Sequence, residues 1–324
     1  MRIVVTGGAG FIGANLVRIL AARPEVGDIV VVDDLSTGDK ENLAGSDALF
    51  VEGSVLDPAL LDQAFARADA IVHLAALVSV PRSLADPAAT HLVNATGTLQ
   101  VLEAARRSGG PLVVVASSSS VYGAQPVLPK HERLRCVPVS PYAVSKLATE
   151  AYASAYAHCF GLPVLPFRFF NVFGPLQRAG HPYAAVVPRF VAAAVEGRPL
   201  TVYGDGRQTR DFTYVGSLCA VIAEAVLRGV TSPEPVNLAF GTRTTLRGLI
   251  DEIERALGHP VAVEHHEPRL GDVHDSQADT TRLSALFPEA RPVPLAEGLR
   301  STVEWFRDEY TLAASAPRSG TAAR

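Results

Sequence analysis

Short apolar runs rich in β-branched residues recur through the first half of the chain, at 3–6, 29–33, 70–74, 112–116 and 164–167. They lack the polar and apolar alternation of a half-solvated strand, so they predict strands covered on both faces. The segments between them, 11–22, 58–66, 88–107 and 142–160, carry apolar residues at helical spacing. Strands alternating with helices in this way predict an α/β protein built on a doubly wound parallel sheet. After Asn171 the texture changes: Gly and Pro become frequent, and polar loops at 204–211 and 267–275 separate short elements. That change predicts a smaller C-terminal lobe over 171–310. Residues 236–240 read as one more buried strand that returns to the main sheet, so the first domain, 1–170, is expected to be rejoined by about 212–241 and the two lobes to interleave. Residues 311–324 end in Ala, Ser, Gly and Pro without periodicity and are expected to form a flexible tail.

Composition narrows the class. A chain of 324 residues with 48% hydrophobic content has material for one large core or two modest ones. The net charge of −4 gives no basic field, which argues against nucleic acid or an anionic membrane as main partner. Cys136, Cys159 and Cys219 are widely spaced, and they read as buried small hydrophobes in a reducing compartment. The N-terminus lacks a signal-peptide pattern, no run approaches the roughly 18 apolar residues of a membrane span, and a cytoplasmic location is expected. Nine histidines without metal-ligand spacing, including the pair His265-His266, lead to no expected metal.

The sequence Thr6-Gly7-Gly8-Ala9-Gly10-Phe11-Ile12-Gly13 follows the first strand and opens the first helix. In that context glycines admit a pyrophosphate close to the backbone, and the free N–H groups of the helix start hold it. Asp33 closes the second strand 20 positions after Gly13. A carboxylate there accepts hydrogen bonds from the ribose hydroxyls of NAD and repels the 2′-phosphate of NADP. Residues 1–38 therefore read as the opening βαβ unit of a Rossmann domain. Gly7, Gly10, Phe11, Ile12 and Gly13 are placed at the pyrophosphate, with Asp33, Asp34, Ser36, Thr37 and Gly38 along the adenosine edge.

Ser117 to Ser120 follow the strand predicted over 112–116, at the sheet edge where open α/β proteins bind ligands. Tyr142 and Lys146 stand four apart at the start of a predicted helix and share one face. A phenol is a poor base at neutral pH, and a nearby ammonium favours the phenolate. A serine hydroxyl can then orient the substrate oxygen, which makes a proton-transfer site.

Through the Thr6 to Gly13 turn, Asp33, Asn94, the serine run and Tyr142-Ala143-Val144-Ser145-Lys146, residues 1–310 resemble the extended short-chain dehydrogenase/reductase family. Within it the chain resembles nucleotide-sugar 4-epimerases, in Val80-Pro81-Arg82-Ser83, Ser118-Ser119-Ser120-Val121-Tyr122-Gly123, Arg168-Phe169-Phe170-Asn171-Val172-Phe173-Gly174, Tyr203-Gly204-Asp205-Gly206 and Arg210-Asp211-Phe212. The resemblance implies Tyr142 as acid and base, Lys146 lowering its pKa and anchoring the nicotinamide ribose, and Ser118, to within one position, steering the 4-oxygen. It places Ser54, Val55, Leu74, Ala75, Ala76 and Asn94 around the cofactor, although relatives carry an Asp at position 54 that bonds the adenine. Ser79, Arg82 and Ser119 fall by the sugar, Asn171, Arg210 and Arg269 by the diphosphate, and Tyr203 by the uracil.

Asp272 and Ser276 belong to a segment whose last position gates the sugar pocket. Small Ser276 leaves room for a 2-N-acetyl group, and Tyr183-Ala184-Ala185-Val186-Val187-Pro188 and Val127-Leu128-Pro129-Lys130 resemble the same subgroup. The resulting expectation is NAD-dependent 4-epimerisation of UDP-N-acetylglucosamine and UDP-N-acetylgalactosamine, or of UDP-glucose and UDP-galactose, with NAD tightly retained. The alternatives are UDP-glucuronate 4-epimerisation, nucleotide-sugar dehydration or decarboxylation, and a non-catalytic NAD sensor. Related dehydratases and decarboxylases carry an acidic residue just before Val-Tyr-Gly, where this chain has Ser119 and Ser120. The helices over 88–107 and 142–160 correspond to those that pair across a two-fold axis in relatives, which implies a homodimer.

Overall fold

The computed structural model describes residues 1–180, 184–267 and 275–315, with backbone alone over 312–315. The first half runs β1 (Arg2–Thr6), α1 (Phe11–Ala21), β2 (Asp28–Asp33), β3 (Leu49–Glu52), α2 (Pro58–Ala64), β4 (Ala70–His73), α3 (Val80–Ala85), α4 (Pro87–His91), α5 (Gly97–Arg107), β5 (Leu112–Ser118), α6 (Pro141–Phe160) and β6 (Val164–Phe169). The second half runs β7 (Val172–Phe173), α7 (Val186–Val195), β8 (Leu200–Tyr203), β9 (Thr209–Arg210), β10 (Thr213–Tyr214), α8 (Val215–Arg228), β11 (Val236–Leu238), β12 (Thr244–Thr245), α9 (Leu246–Leu257), β13 (Val263–His266), α10 (Thr281–Leu286) and α11 (Leu295–Ser315).

Seven strands form one parallel sheet in the order β11-β6-β5-β4-β1-β2-β3. The period of two explains its unbroken apolar runs. Ile3, Val5, Val31, Val72 and Val114 enter one core with α1 and α8, while Val4, Val30, Val32, Ile71 and Val113 enter another with α2, α5 and α6. The order of connection reverses between β1 and β4, which makes the carboxyl ends of these strands the switch point where doubly wound sheets bind ligands. The second lobe has its own core, in which Phe190, Leu249, Ile253 and Val303 of α7, α9 and α11 meet. Cys219 of α8, Val236 and Leu238 of β11, and Leu283 and Phe287 return to the main core, so the chain crosses between the lobes several times.

Several expectations change. β3 had no signal in the pattern, because it is the edge strand and Leu49 is exposed; Ser117 and Ser118 consequently end the fifth strand. The helix expected over 88–107 has a π turn over Leu92–Thr96 between α4 and α5. Arg210, expected in a loop, sits in a two-residue strand paired with β12. The tail expected from 311 is helical as far as Ser315, and the rest of it lies outside the described residues. Of the cysteines only Cys219 is buried; Cys136 is half-buried and Cys159 exposed. Among the described residues no helix is long and apolar enough to cross a membrane.

Candidate active site

The turn after β1 and the loop after β4 meet backbone to backbone. Gly7 has φ +71, and a Cβ there would fall 2.6 Å from the Ala75 nitrogen; one on Gly13 would fall 2.2 Å from the Gly7 oxygen. A Cβ on Gly10 would meet only the Gly7 oxygen, at 3.3 Å, and Gly10 caps α1 without a side-chain bond. The helix start thus keeps its positive end for an anion, with half-buried Phe11 and Ile12 behind it, and this fits a dinucleotide's pyrophosphate.

Asp33 accepts from the backbone N–H of Ala9 and of Leu35, each at 2.9 Å. Burial pushes its carboxyl up, and these N–H groups pull it back down. It therefore holds the glycine turn together as well as marking the ribose edge. Asp34 accepts from the Ser36 N–H at 3.0 Å, Thr37 follows, and Gly38 is pressed onto Ala9. Ser54 accepts from the Leu56 N–H at 3.2 Å beside buried Val55. Leu74, Ala75 and Ala76 are half-buried in the loop after β4. Asn94, in the π turn, uses its amide on that loop and on α6: it donates to the Leu77 carbonyl (3.1 Å) and to Ser145 Oγ (3.0 Å) and accepts from the Leu77 N–H (2.8 Å). It ties the loop after β4 to α6.

Ser140 caps α6 by accepting from the Ala143 N–H, Pro141 begins it, and Gly161 ends it with φ +66. This fixes Tyr142 and Lys146 on the face turned to the end of β5. Lys146 Nζ donates to the Ala116 carbonyl at 2.8 Å, and burial pushes its ammonium down to about 8. Burial pushes the Tyr142 phenol up to about 12, while a hydrogen bond with Ser118 opposes the rise. Of the four serines, then, Ser118 is the one whose hydroxyl bears on the tyrosine. Its Oγ also accepts from the Ser120 N–H at 3.2 Å, which starts the 3-10 turn Ser119–Tyr122. Ser117 faces elsewhere, donating to Glu150 at 2.9 Å and to the Lys146 carbonyl at 3.3 Å. The lowering of the tyrosine pKa expected from Lys146 is not seen in this structure, where the opposing influence comes from Ser118 and burial of the phenol prevails.

Two buried groups behind this cluster gave no clear signal in the sequence. Glu150 pairs with Arg168 at 2.6 Å, and the guanidinium lies 4.7 Å from the Tyr122 ring centre. The pair braces β6 against α6. A Glu four positions after Lys146 on the same helix face was the available hint. His73 joins Thr6 (2.7 Å) to Thr98 (3.1 Å), and complete burial pushes its pKa down to about 3, which keeps it neutral.

Of the expected substrate residues, Asn171, Arg210 and Ser276 meet around Thr209 and Asp211. Asn171 holds φ +35 and donates from Nδ2 to the Asp211 carbonyl at 3.1 Å. Such a conformation in a residue other than glycine is kept only where its surroundings fix it. Arg210 donates to the Thr209 carbonyl at 2.9 Å, and the Ser276 N–H donates to that same carbonyl at 3.1 Å. Tyr203 ends β8 with its ring 5.8 Å from that of His266. Ser79 caps α3 by accepting from the N–H of half-buried Arg82 at 3.1 Å. Tyr183, Arg269 and Asp272 lie outside the described residues.

A glycine turn at a sheet switch point, an acidic end to β2 and a Ser-Tyr-Lys cluster at the end of β5 define a dinucleotide-dependent α/β enzyme. The sequence matches the NAD dependent epimerase/dehydratase family over residues 3–239, and the chain belongs to that family. It is 39% identical over 318 residues to a UDP-glucose 4-epimerase of Mycolicibacterium smegmatis, covering 95% of this chain and 99% of that protein. The structure superposes with a TM-score of 0.90 on a UDP-N-acetylglucosamine 4-epimerase of Methanobrevibacter ruminantium in complex with UDP-N-acetylmuramic acid, at 34% identity, covering 95% of this chain and 98% of the other. A dTDP-glucose 4,6-dehydratase of Streptomyces venezuelae with NAD bound gives a TM-score of 0.87 at 34% identity, covering 96% of this chain and 98% of the other. The protein is an NAD-dependent member of a family of nucleotide-sugar epimerases and dehydratases.

Proposed function

We propose that the protein is a UDP-sugar 4-epimerase that acts on UDP-N-acetylglucosamine and UDP-N-acetylgalactosamine, with UDP-glucose and UDP-galactose as further substrates. The observation that carries this reading is the Ser118-Tyr142-Lys146 cluster beside a 3-10 turn that bears hydroxyls and no carboxylate. Elimination and decarboxylation lack a positioned acid there, whereas epimerisation needs only one group that takes and returns a proton. When bound, NAD supplies the hydride acceptor for C4 and a positive ring near Tyr142. Tyr142 takes the 4-hydroxyl proton, Ser118 orients the 4-oxygen, and the buried ammonium of Lys146 favours the phenolate. The 4-keto sugar turns over in the pocket. Tyr142 then returns the proton to the 4-oxygen; NAD held there would give back the hydride it took, on the opposite face of C4, so that C4 would invert without net redox change. Arg210, Arg269 and Asn171 grip the diphosphate during the turn; Tyr203 lies along the uracil, Ser79, Arg82 and Ser119 flank the sugar, and Asp272 and Ser276 close its 2-position.

Two cross-lobe bonds support a retained cofactor. Asn15 of α1 donates to the Pro175 carbonyl at 3.0 Å, and Arg178 pairs at 2.9 Å with Asp39, whose N–H donates to Ala9 of the glycine turn. Residues 175–178 thereby strap the glycine turn and the loop after β2. The exposed Val144 and Tyr152 of α6 and Leu92 at the π turn support a homodimer formed through these helices. The test is to purify the protein, assay NAD in the denatured sample, sediment it, and follow C4 configuration by NMR with UDP-N-acetylglucosamine, UDP-glucose and UDP-glucuronate. Bound NAD, twice the 34.2 kDa chain mass and 4-epimers from the N-acetylated and plain hexoses are expected. A product of altered mass, or inversion of UDP-glucuronate alone, sinks the reading.

A further inference from the structure

We infer that Asp211 is a positioning residue that sets the sugar wall of the substrate site against its diphosphate side. This deepens the UDP-sugar reading and rests on it. Asp211 has no exposed surface. One carboxylate oxygen accepts from the Thr242 N–H (3.1 Å) and the Thr242 hydroxyl (2.8 Å), and the other accepts from the Ala278 N–H at 3.0 Å. Its main-chain carbonyl accepts from Asn171 at 3.1 Å. Asp211 directly follows Arg210, and Ala278 lies two residues after Ser276. A single buried residue is thus bonded to Asn171 and linked, one and two residues along the chain, to Arg210 and Ser276.

The donors leave little choice of side chain. Three converge on the carboxylate, which is an acceptor only; an amide of the same shape sets its NH2 against a backbone N–H and leaves a buried donor unpaired. The segment it grips is otherwise held edge to edge. The Lys130 N–H donates to the Gln277 carbonyl at 2.7 Å, the Asp279 N–H donates to the Lys130 carbonyl at 2.8 Å, and Arg243 pairs with Asp275 at 3.3 Å. The chain that carries Arg210 holds the segment at two points, through the Thr209 carbonyl, which accepts from the Ser276 N–H at 3.1 Å, and through the Asp211 carboxylate at Ala278. Losing the Asp211 tie leaves only the Thr209 side to hold Ser276 against the diphosphate grip, so the segment from Ser276 to Asp279 loosens while Tyr142, on α6, stays in place.

The experiment compares the full-length holoprotein with Asp211→Asn and Thr242→Val in two measurements. In the first, hydrogen exchange without substrate should quicken at the amides of 276–279 in Asp211→Asn, with bound NAD unchanged. In the second, KM for UDP-N-acetylglucosamine should rise at least tenfold and the KM ratio between it and UDP-glucose should change at least threefold, with kcat within threefold. Thr242→Val, which removes one bond to the carboxylate, should move both readouts the same way by less, and it decides the matter if Asp211→Asn does not fold. Unchanged exchange with an unchanged KM ratio overturns the inference. So does a joint fall of kcat, KM selectivity and bound NAD, the mark of general unfolding. If the parent protein epimerises no UDP-sugar, the functional reading fails, and the exchange measurement still decides whether Asp211 positions this segment.

Discussion

Tyr142 and Lys146 project from one capped 20-residue helix, whereas Asn171, Arg210 and Ser276 sit on segments that pair over at most two residues or a single bridge. The first pair owes its geometry to helical periodicity and to a sheet covered on both faces. The second cluster has neither, and buried polar side chains do the same work. Asn237 in the middle of β11 is the clearest. Its Oδ1 accepts from the Tyr122 hydroxyl at 2.7 Å, its Nδ2 donates to the Lys130 (2.7 Å) and Asp279 (3.2 Å) carbonyls, and its N–H donates to Glu132 at 2.8 Å. Around it Val121, Tyr122, Phe170, Ala239 and Ala278 form a small core where the lobes join. On the proposed function, chemistry is mounted on regular elements and recognition on a hydrogen-bonded seam, an arrangement in which the reacting groups stay fixed while the pocket is shaped separately.

The largest expected effect lies on the helix side. Tyr142→Phe should lower kcat by about 1,000-fold, the middle of the range for a lost acid and base, with melting temperature and bound NAD unchanged. A loss of stability would mean that the phenol is structural and would erase the contrast. Next comes the seam. Asn237→Ala removes the side-chain partner of Tyr122, Lys130 and Asp279 and should lower unfolding free energy by about 3 kcal/mol, read by urea denaturation, with the KM for UDP-sugar raised. A drop in kcat alone would show that the seam acts on chemistry. The smallest effect belongs to the strap. Arg178→Ala removes a half-exposed ion pair worth less than about 1 kcal/mol, so NAD should dissociate at most about fivefold faster in a stopped-flow displacement assay. A larger change would make that pair a principal holder of the cofactor.

Much of the helix side was legible in the sequence, because each of its signals is local. The glycines before α1, the carboxylate ending β2, the apolar runs, and a Tyr and Lys one helical turn apart are all set by φ/ψ limits, strand burial and the 3.6-residue period. The sequence narrowed the serine only to within one position; the fold favours Ser118, whose hydroxyl bears on Tyr142, by turning Ser117 toward Glu150. Edge strand β3 and the π turn that carries Asn94 also needed the fold, since a half-exposed strand loses its apolar run and a π turn keeps helical composition. The seam was silent for a different reason. Tyr122 and Asn237 are 115 residues apart, and Asp211 and Ala278 are 67 apart. A lone polar residue in a buried strand, or an Asp beside an Arg, has no neighbour in sequence to announce its partner. Local propensity fixed where this chain's reacting groups stand; only long-range packing, by removing water from unpaired polar groups, decided which distant backbone each buried side chain must hold.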